Sequence, residues 1–355
     1  MDSSSTVSPS RARAQEATAR WIALLALLVL LLGVTTLVAL GVGAVHIAPT
    51  AILRAAFDPH ALQATERIIL LEVRLPRVLA AGIVGAALAM AGLMFQGLFR
   101  NPMADPYVIG SSGGAILGAA LGIFFFSQVS VLGFSATALL AFAGSAATMA
   151  LVYWLARSGG QTNVVTLLLA GFAVSTMLTN SSYFFELLDG SGGSSSRIFI
   201  AWLHGSVGTP RWTQLVIGGV LVLASAVAAF PLMRRLNTLA LGDAYAQQLG
   251  LRVEYTRVGI IILGSLLAAV AVSFGGLISF AGLVVPHAAR LLLGPDHVRL
   301  LPVTALGGAI FLMLADTLAR SVIAPSEIPV GILMAFLGAP FFLYLLRNAK
   351  RSYAV

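Results

Sequence analysis

An all-α polytopic membrane protein with about ten transmembrane helices is the fold class that the sequence predicts, and three observations lead to it. Hydrophobic residues fill 59% of the 355 positions and charged residues only 10%, where a soluble domain carries about 25% charged residues. No Asp, Glu, Lys or Arg occurs between Trp21 and Leu53, a stretch longer than the roughly 20 apolar residues that cross a hydrocarbon core. Comparable runs recur as far as the C-terminus. Residues 21–347 therefore read as one transmembrane domain, flanked by a disordered cytoplasmic tail at 1–20 and a short cytoplasmic tail at 348–355. The first apolar run is too long for a signal-peptide core and lacks a clear cleavage site, which predicts an uncleaved helix.

Charges, Gly and Pro divide the apolar runs into ten predicted spans: 21–44, 76–98, 107–127, 129–156, 163–186, 212–233, 256–276, 279–293, 300–321 and 328–347. An even number puts both termini on one side, and the bias of Lys and Arg selects the cytoplasm. With that choice fourteen basic residues lie inside and seven outside, while six acidic residues lie inside and seven outside. The whole net charge of +8 is then inside, so the basic balance needs no nucleic-acid partner. The chain contains no cysteine, which excludes disulfides and thiolate ligands and leaves any zinc site to its five histidines.

The second span opens with Arg74-Leu75-Pro76-Arg77, and both arginines stand outside, against the bias. Arg320 joins them at the outward end of the ninth span. Such cations either anchor the helix at the interface by snorkelling or offer a docking surface to an acidic partner. Pro76 fits a first helical turn, where its missing N–H costs nothing. Small residues are dense in this span, from Gly85 to Gly97, and permit close helix packing in lipid. Met90 and Met94 share one face four residues apart, as packing groups or as a pathway lining. The stretch from Gly85 to Leu98 can be laid on that from Gly264 to Leu277 with Phe95 on Phe274 and Gly97 on Gly276, a weak inverted repeat.

Between the second and third spans, Arg100, Asn101, Pro102, Asp105 and Pro106 predict a tight polar hairpin, with Asp105 as a cap for the next helix. The Gly-x-Ser-x-Gly pattern from Gly110 to Gly114 lacks the preceding strand that a hydrolase elbow needs, so no enzyme is read from it. The segment 237–250 places Leu241, Tyr245 and Leu249 at steps of four, with Gly242 and Gly250 as punctuation. An amphipathic helix against the bilayer and a helix inserted in a cytoplasmic partner both explain it. Further on, Asp316 and Arg320 are spaced to pair on one helix, and His287 has no neighbouring ligand for a metal site.

Several of these segments together resemble the FecCD family. They are Arg74-Leu75-Pro76-Arg77, the Gln96 to Gly114 turn, Leu241 to Gly250, and Gly282-Leu283-Val284-Val285-Pro286-His287 through Arg290. Ala315-Asp316, Ala319-Arg320, Glu327-Ile328-Pro329-Val330-Gly331 and Gly338-Ala339-Pro340 extend the likeness along most of the chain. The family comprises permeases of ABC importers for iron–siderophores, haem and vitamin B12. The resemblance implies a type II ABC importer permease fold in the bacterial inner membrane. It also implies a homodimer, two cytoplasmic ABC ATPase subunits and a substrate-binding protein that docks outside. Arg74, Arg77 and Arg320 match the family's docking arginines. Leu241, Gly242, Tyr245, Leu249 and Gly250 fall in its ATPase-coupling segment, and Thr162 and Asn163 fall near its cytoplasmic gate. Met90 and Met94 are carried as pathway candidates.

The chain has no Gly-x-x-x-x-Gly-Lys-Ser/Thr loop, so ATP and its Mg belong to the partner ATPase and no bound cofactor is expected. An iron–siderophore is the expected cargo, with haem and vitamin B12 as alternatives within the family. An ion-coupled secondary transporter is the rival mechanism.

Overall fold

The computed structural model describes residues 9–352 except 44, 46, 59–61, 108, 159–160 and 190–192. Its helices are α1 (Pro9–Gly41), α2 (Pro49–Phe57), α3 (Ala64–Ile68), α4 (Leu75–Leu98), α5 (Ser111–Phe125), α6 (Ala136–Ala156) and α7 (Val164–Leu188). They continue as α8 (Ser194–Leu203), α9 (Trp212–Leu239), α10 (Asp243–Gln248), α11 (Val253–Gly275), α12 (Ala281–Leu293), α13 (His297–Ala319) and α14 (Val330–Ser352). Two minimal hairpins interrupt them: β1 (Ser130–Val131) pairs with β2 (Phe134–Ser135), and β3 (Arg157–Ser158) with β4 (Gln161–Thr162).

Among the described residues, seven helical segments are long and apolar enough to cross a membrane: Gln15–Gly41, Ala64–Leu98, α6, α7, α9, α11 and α13. Three shorter apolar helices, α5, α12 and Val330–Leu343 of α14, occupy the remaining predicted spans. The chain is thus an all-α polytopic membrane protein. Its helices differ from the sequence reading mainly at their ends. Residues 9–20, expected to be irregular, continue α1, and 348–352 continue α14; residues 1–8 and 353–355 of the expected tails lie outside the described residues. The second span also starts earlier, because α3, a π-helical turn at Ile69–Arg74 and α4 form one helix from Ala64 to Leu98. Pro76 is therefore no free helix start. It lacks the N–H that would return to Glu72, and the wider π-helical turn just before it absorbs the mismatch.

The core is organised around α4, whose side chains are buried almost throughout. Apolar side chains gain nothing by leaving lipid for a helix interface, so close contact has to come from small residues. At Gly92 a Cβ would lie 1.7 Å from the Gly282 carbonyl oxygen of α12, and at Gly85 2.1 Å from that of Gly308 in α13. The backbones of three helices touch there. Helix α11 approaches by another route: a Cβ at Gly264 would meet Phe95 Cζ at 2.7 Å, so the missing side chain makes room for the ring. The two stretches laid on one another in the sequence are hence neighbours, and each precedes a short helix, α5 or α12.

Helix α12 contains Pro286, which cannot donate to the carbonyl of Gly282 four residues back. Gln96 of α4 replaces the missing donor, its Nε2 reaching the Gly282 oxygen at 3.2 Å and that of Leu283 at 3.4 Å. Its Oε1 accepts from Arg290 Nη1 at 3.2 Å. The segment between α4 and α5 does not close as the expected tight hairpin. A Cβ at Gly282 would be 2.8 Å from both Pro106 Cδ and the Leu88 oxygen, so this segment folds back along α4. Asp105 accepts from the Tyr107 N–H at 2.8 Å instead of capping α5, whose first turn follows Gly110 in a left-handed conformation.

The glycine contacts give a stability prediction. Gly92→Val should cost at least about 3 kcal/mol, because the Gly282 backbone cannot yield as a side chain would. Gly33→Ala, at a site with nothing within 4 Å, should be neutral or gain up to about 1 kcal/mol. Thermal unfolding of the two purified variants in detergent distinguishes them.

Candidate functional site

At one end of the bundle the three predicted arginines converge. Arg74 is buried, and its Nη1 donates to the carbonyls of Leu40 at 2.7 Å and Gly41 at 3.2 Å, while Nη2 donates to Val45. Arg320 Nη2 donates to Ala39. These acceptors belong to the last turn of α1 and the segment after it, where carbonyls have no following helical N–H. A cation at that position also meets the negative end of the helix dipole. Arg77 clasps Asp316 through Nε at 3.2 Å and Nη2 at 3.0 Å, and reaches Glu327 through Nη1 at 2.8 Å. Asp316 is buried, and Arg320 Nε stands 3.5 Å from its Oδ2. The expected pairing of Asp316 with Arg320 is present, but Arg77 makes the closer contact.

This geometry differs from a row of free surface cations. The donors of Arg74 and Arg320 point into the protein, the Arg77 side chain is 13% exposed, and the most open member of the cluster is Glu327 at 47%. Carbonyl and carboxylate acceptors within hydrogen-bond distance compensate the burial of Arg74 and Arg77, whereas Arg320 bonds through Nη2 and its buried Nε has only the 3.5 Å ion pair with Asp316.

The opposite end carries α10. Gly242 (φ 112°) precedes it and Gly250 (φ 80°) follows it, both in backbone conformations that favour glycine. Ala246 is buried, whereas Leu241, Tyr245 and Leu249 are 64%, 53% and 60% exposed. Tyr245 is the exposed aromatic on α10 itself, and Leu241 and Leu249 flank the helix, just before Gly242 and at its C-cap. Asp243 at the start of α10 holds two arginines from different helices: Arg100, just past α4, at 2.5 Å, and Arg257 of α11.

Thr162 and Asn163 lie beside this group. Asn163 caps α7 by accepting from the Thr166 N–H at 3.1 Å. Thr162 is buried; its N–H donates to Glu254 Oε2 at 3.1 Å and its hydroxyl to Oε1 at 2.5 Å, while its carbonyl accepts from Arg257 Nη1 at 3.1 Å. Tyr153 of α6 adds a hydroxyl donor to Glu254 at 3.3 Å. A cavity of about 530 Å³ opens here, lined by Arg100, Thr162, Asn163, Val165, Asp243 and Arg257 among others. Sequence reasoning named Thr162 and the α10 stripe but missed Arg100, Glu254 and Arg257. The i,i+3 spacing of Glu254 and Arg257 was the available signal.

Met90 borders a cavity of about 380 Å³ between α4, α9 and α13, whose lining does not include Met94. Both are fully buried on α4 among core side chains, which makes them packing residues in this conformation. Exposed polar residues along an apolar helix occur instead on α7, at Thr166, Thr176 and Asn180. Their spacing of ten and four keeps them on one side of the helix. His287 packs edge-on against Phe341 with ring centroids 6.0 Å apart. No group of three metal-ligating side chains occurs among the described residues.

Comparison with known proteins agrees with this architecture. The chain is 41% identical over 285 residues to the hemin transport system permease protein HmuU of Yersinia pestis, covering 80% of this chain and 84% of that one. It is 42% identical over 286 residues to the cobalamin import system permease protein BtuC of Halobacterium salinarum, covering 81% and 75%. A solved metal-chelate type ABC transporter in an inward-facing conformation superposes with a TM-score of 0.80 at 32% identity, over 91% of this chain and 98% of that one. The model of the FecCD transport family matches residues 28–348, and the chain belongs to that family as a transmembrane transport permease.

Proposed function

We propose that the chain is the permease subunit of an ATP-driven ABC importer, acting as a homodimer with two ATPase subunits and an external substrate-binding protein. The observation that carries this reading is α10: a short helix held by an ionic anchor at its start, with an apolar stripe left uncovered. A membrane-surface helix would not need Asp243 tied to two separate helices. A stripe that must transmit force from a soluble partner would. The absence of a nucleotide loop from this sequence assigns hydrolysis to that partner.

In this reading both termini and α10 are cytoplasmic and the arginine cluster faces outward, as the charge bias requires. The ten-span type II topology counts α5, α12 and α14 with the seven longer segments. Helix α5, at 15 residues, reaches about 22 Å, short of the roughly 30 Å of hydrocarbon. The segment that folds back beside α4 supplies the remaining depth, and irregular backbone is tolerated there because protein covers it. Thr166, Thr176 and Asn180, exposed on the same side of α7 as Leu169 and Phe184, make this helix the favoured lining of a path shared with the second subunit.

Arg74, Arg77 and Arg320 frame the outer docking face. Arg77 and Glu327 stand at its surface, and Arg74 and Arg320 hold α1 beneath it. The proposed cargo is an iron–siderophore complex. Haem and vitamin B12 are the alternative readings, because the haem and cobalamin permeases among the relatives match this chain at 41% and 42% identity. The discriminating experiment is uptake into proteoliposomes with the cognate ATPase and binding protein, offering ferric siderophores, haem and cobalamin in turn. Uptake of one of them that requires ATP supports the importer; accumulation without ATP or without the ATPase refutes it.

Two substitutions test the two ends. Tyr245→Glu should lower co-purification of the ATPase at least about tenfold, as expected when a central apolar anchor is lost. Arg77→Gln should weaken attachment of the binding protein and flatten its salt dependence slightly, because one cation at the docking face is removed. Arg74→Gln and Arg320→Gln should first cost stability, by about 1–3 kcal/mol, through the α1 carbonyls they leave unpaired. Melting in detergent and binding-protein titration at two salt concentrations separate these effects.

A further inference from the structure

We propose that Arg257 is the positioning residue that joins the coupling helix α10 to the Thr162 turn, passing displacement of α10 to the inner end of α7. This rests on the reading of α10 as the ATPase contact. The supporting geometry is the division of one side chain between two segments. Nη2 of Arg257 is bonded to Asp243, the first residue of α10, and Nη1 to the Thr162 carbonyl, at 3.1 Å, directly before the cap of α7. A guanidinium is planar, so its two nitrogens keep a set separation, and moving one acceptor drags or releases the other.

The rest of the cluster makes the connection rigid. Glu254, one turn earlier on α11, takes both the N–H and the hydroxyl of Thr162. All three polar groups of Thr162 are therefore held by the first turn of α11. Tyr153 fixes Glu254 from α6. Arg100 supplies the natural comparison, because it bonds the other oxygen of the same Asp243 yet has no recorded bond to the Thr162 turn. Charge balance at Asp243 involves both arginines, but only Arg257 bridges two segments. Exposure differs in the same sense: the Arg257 side chain is largely buried and that of Arg100 is open.

The chain has no cysteine, so Val165→Cys introduces a single thiol on the cavity wall beside Thr162 without removing the Asn163 cap. The full transporter with its ATPase, reconstituted in vesicles, is alkylated with a charged maleimide with and without a non-hydrolysable ATP analogue. The parent should show a nucleotide-dependent change in rate of about fivefold or more, the scale of a typical coupling between sites. Arg257→Met should abolish that change and raise ATP hydrolysed per substrate transported, with the ATPase still attached. Arg257→Lys should fail likewise, having charge without the fork. Arg100→Met should keep the response.

An unaltered response in Arg257→Met overturns the proposal, as does equal loss in Arg257→Met and Arg100→Met, which would assign the effect to neutralisation of Asp243. Should Arg257→Met not fold, Glu254→Gln gives the same test from the other side of Thr162, with a reduced response expected and an unchanged one counting against the link. Failure of the underlying reading looks different: the parent then retains no ATPase at all, and the link falls with it.

Discussion

Contact between the backbones of α4, α12 and α13 is the constraint from which the rest of the structure follows. In lipid no hydrophobic force selects one helix neighbour over another, so helices associate where their surfaces allow dispersion contacts at short range. Gly85 and Gly92 allow this on α4, against Gly308 and Gly282. Once α12 lies that close, the carbonyl freed by Pro286 comes within reach of Gln96, and a polar group that hydrocarbon could not solvate is satisfied. One helix thus sets the depth of another. The same α4 starts at the arginine cluster and ends beside Arg100, so the sites at the two ends of the bundle are placed by a single buried mast.

The arginine cluster illustrates how a charge can serve structure and function together. Taking a guanidinium out of water costs several kcal/mol unless its donors are used, and an isolated pair with Asp316 would regain only part of that. Here the supply of acceptors is larger than one carboxylate. The last carbonyls of α1 provide oxygens beyond the reach of the helix's own N–H groups, at the negative end of the dipole, with Gly41 also accepting from the Ile47 N–H. Burying two arginines against them removes two deficits at once. The position of these cations against the positive-inside bias is explained by a helix terminus, whatever further contact Arg77 makes at the surface.

Hydropathy and charge made most of the architecture legible. The seven long segments and the three short ones all overlap stretches that composition picks out, since a bilayer demands length and apolarity and little else. Boundaries failed where a tertiary contact decided them. Pro76 reads locally as a helix start, and only the π-helical turn before it carries the helix back to Ala64. Asp105 reads as a cap, but the chain around it folds inward against Gly282 and its carboxylate turns to Tyr107. The α10 stripe was visible because its period is local. Its anchor was not, because Arg100, Asp243 and Arg257 are separated by up to 157 positions and meet only in space. Met90 and Met94 show the converse: correct periodicity identifies a face but cannot say whether core or solvent covers it.

A transporter of this kind needs two arrangements that differ in their contacts with its partners, for otherwise neither nucleotide nor binding protein could shift the balance between them. The distribution of packing indicates which parts can supply the difference. Helix α4 is locked by backbone contacts that tolerate no sliding, because a carbonyl pressed against a glycine has no softer position nearby. Helix α7 also has close backbone contacts, Gly171 against Ile109 and Ser175 against Gly113 of α5, but its end at the Thr162 turn is clamped by polar bonds that can be exchanged for others at little net cost. The ionic joints at Thr162 and Asp243 are therefore the contacts most readily exchanged, and the glycine-packed helices are the reference against which such an exchange would be made.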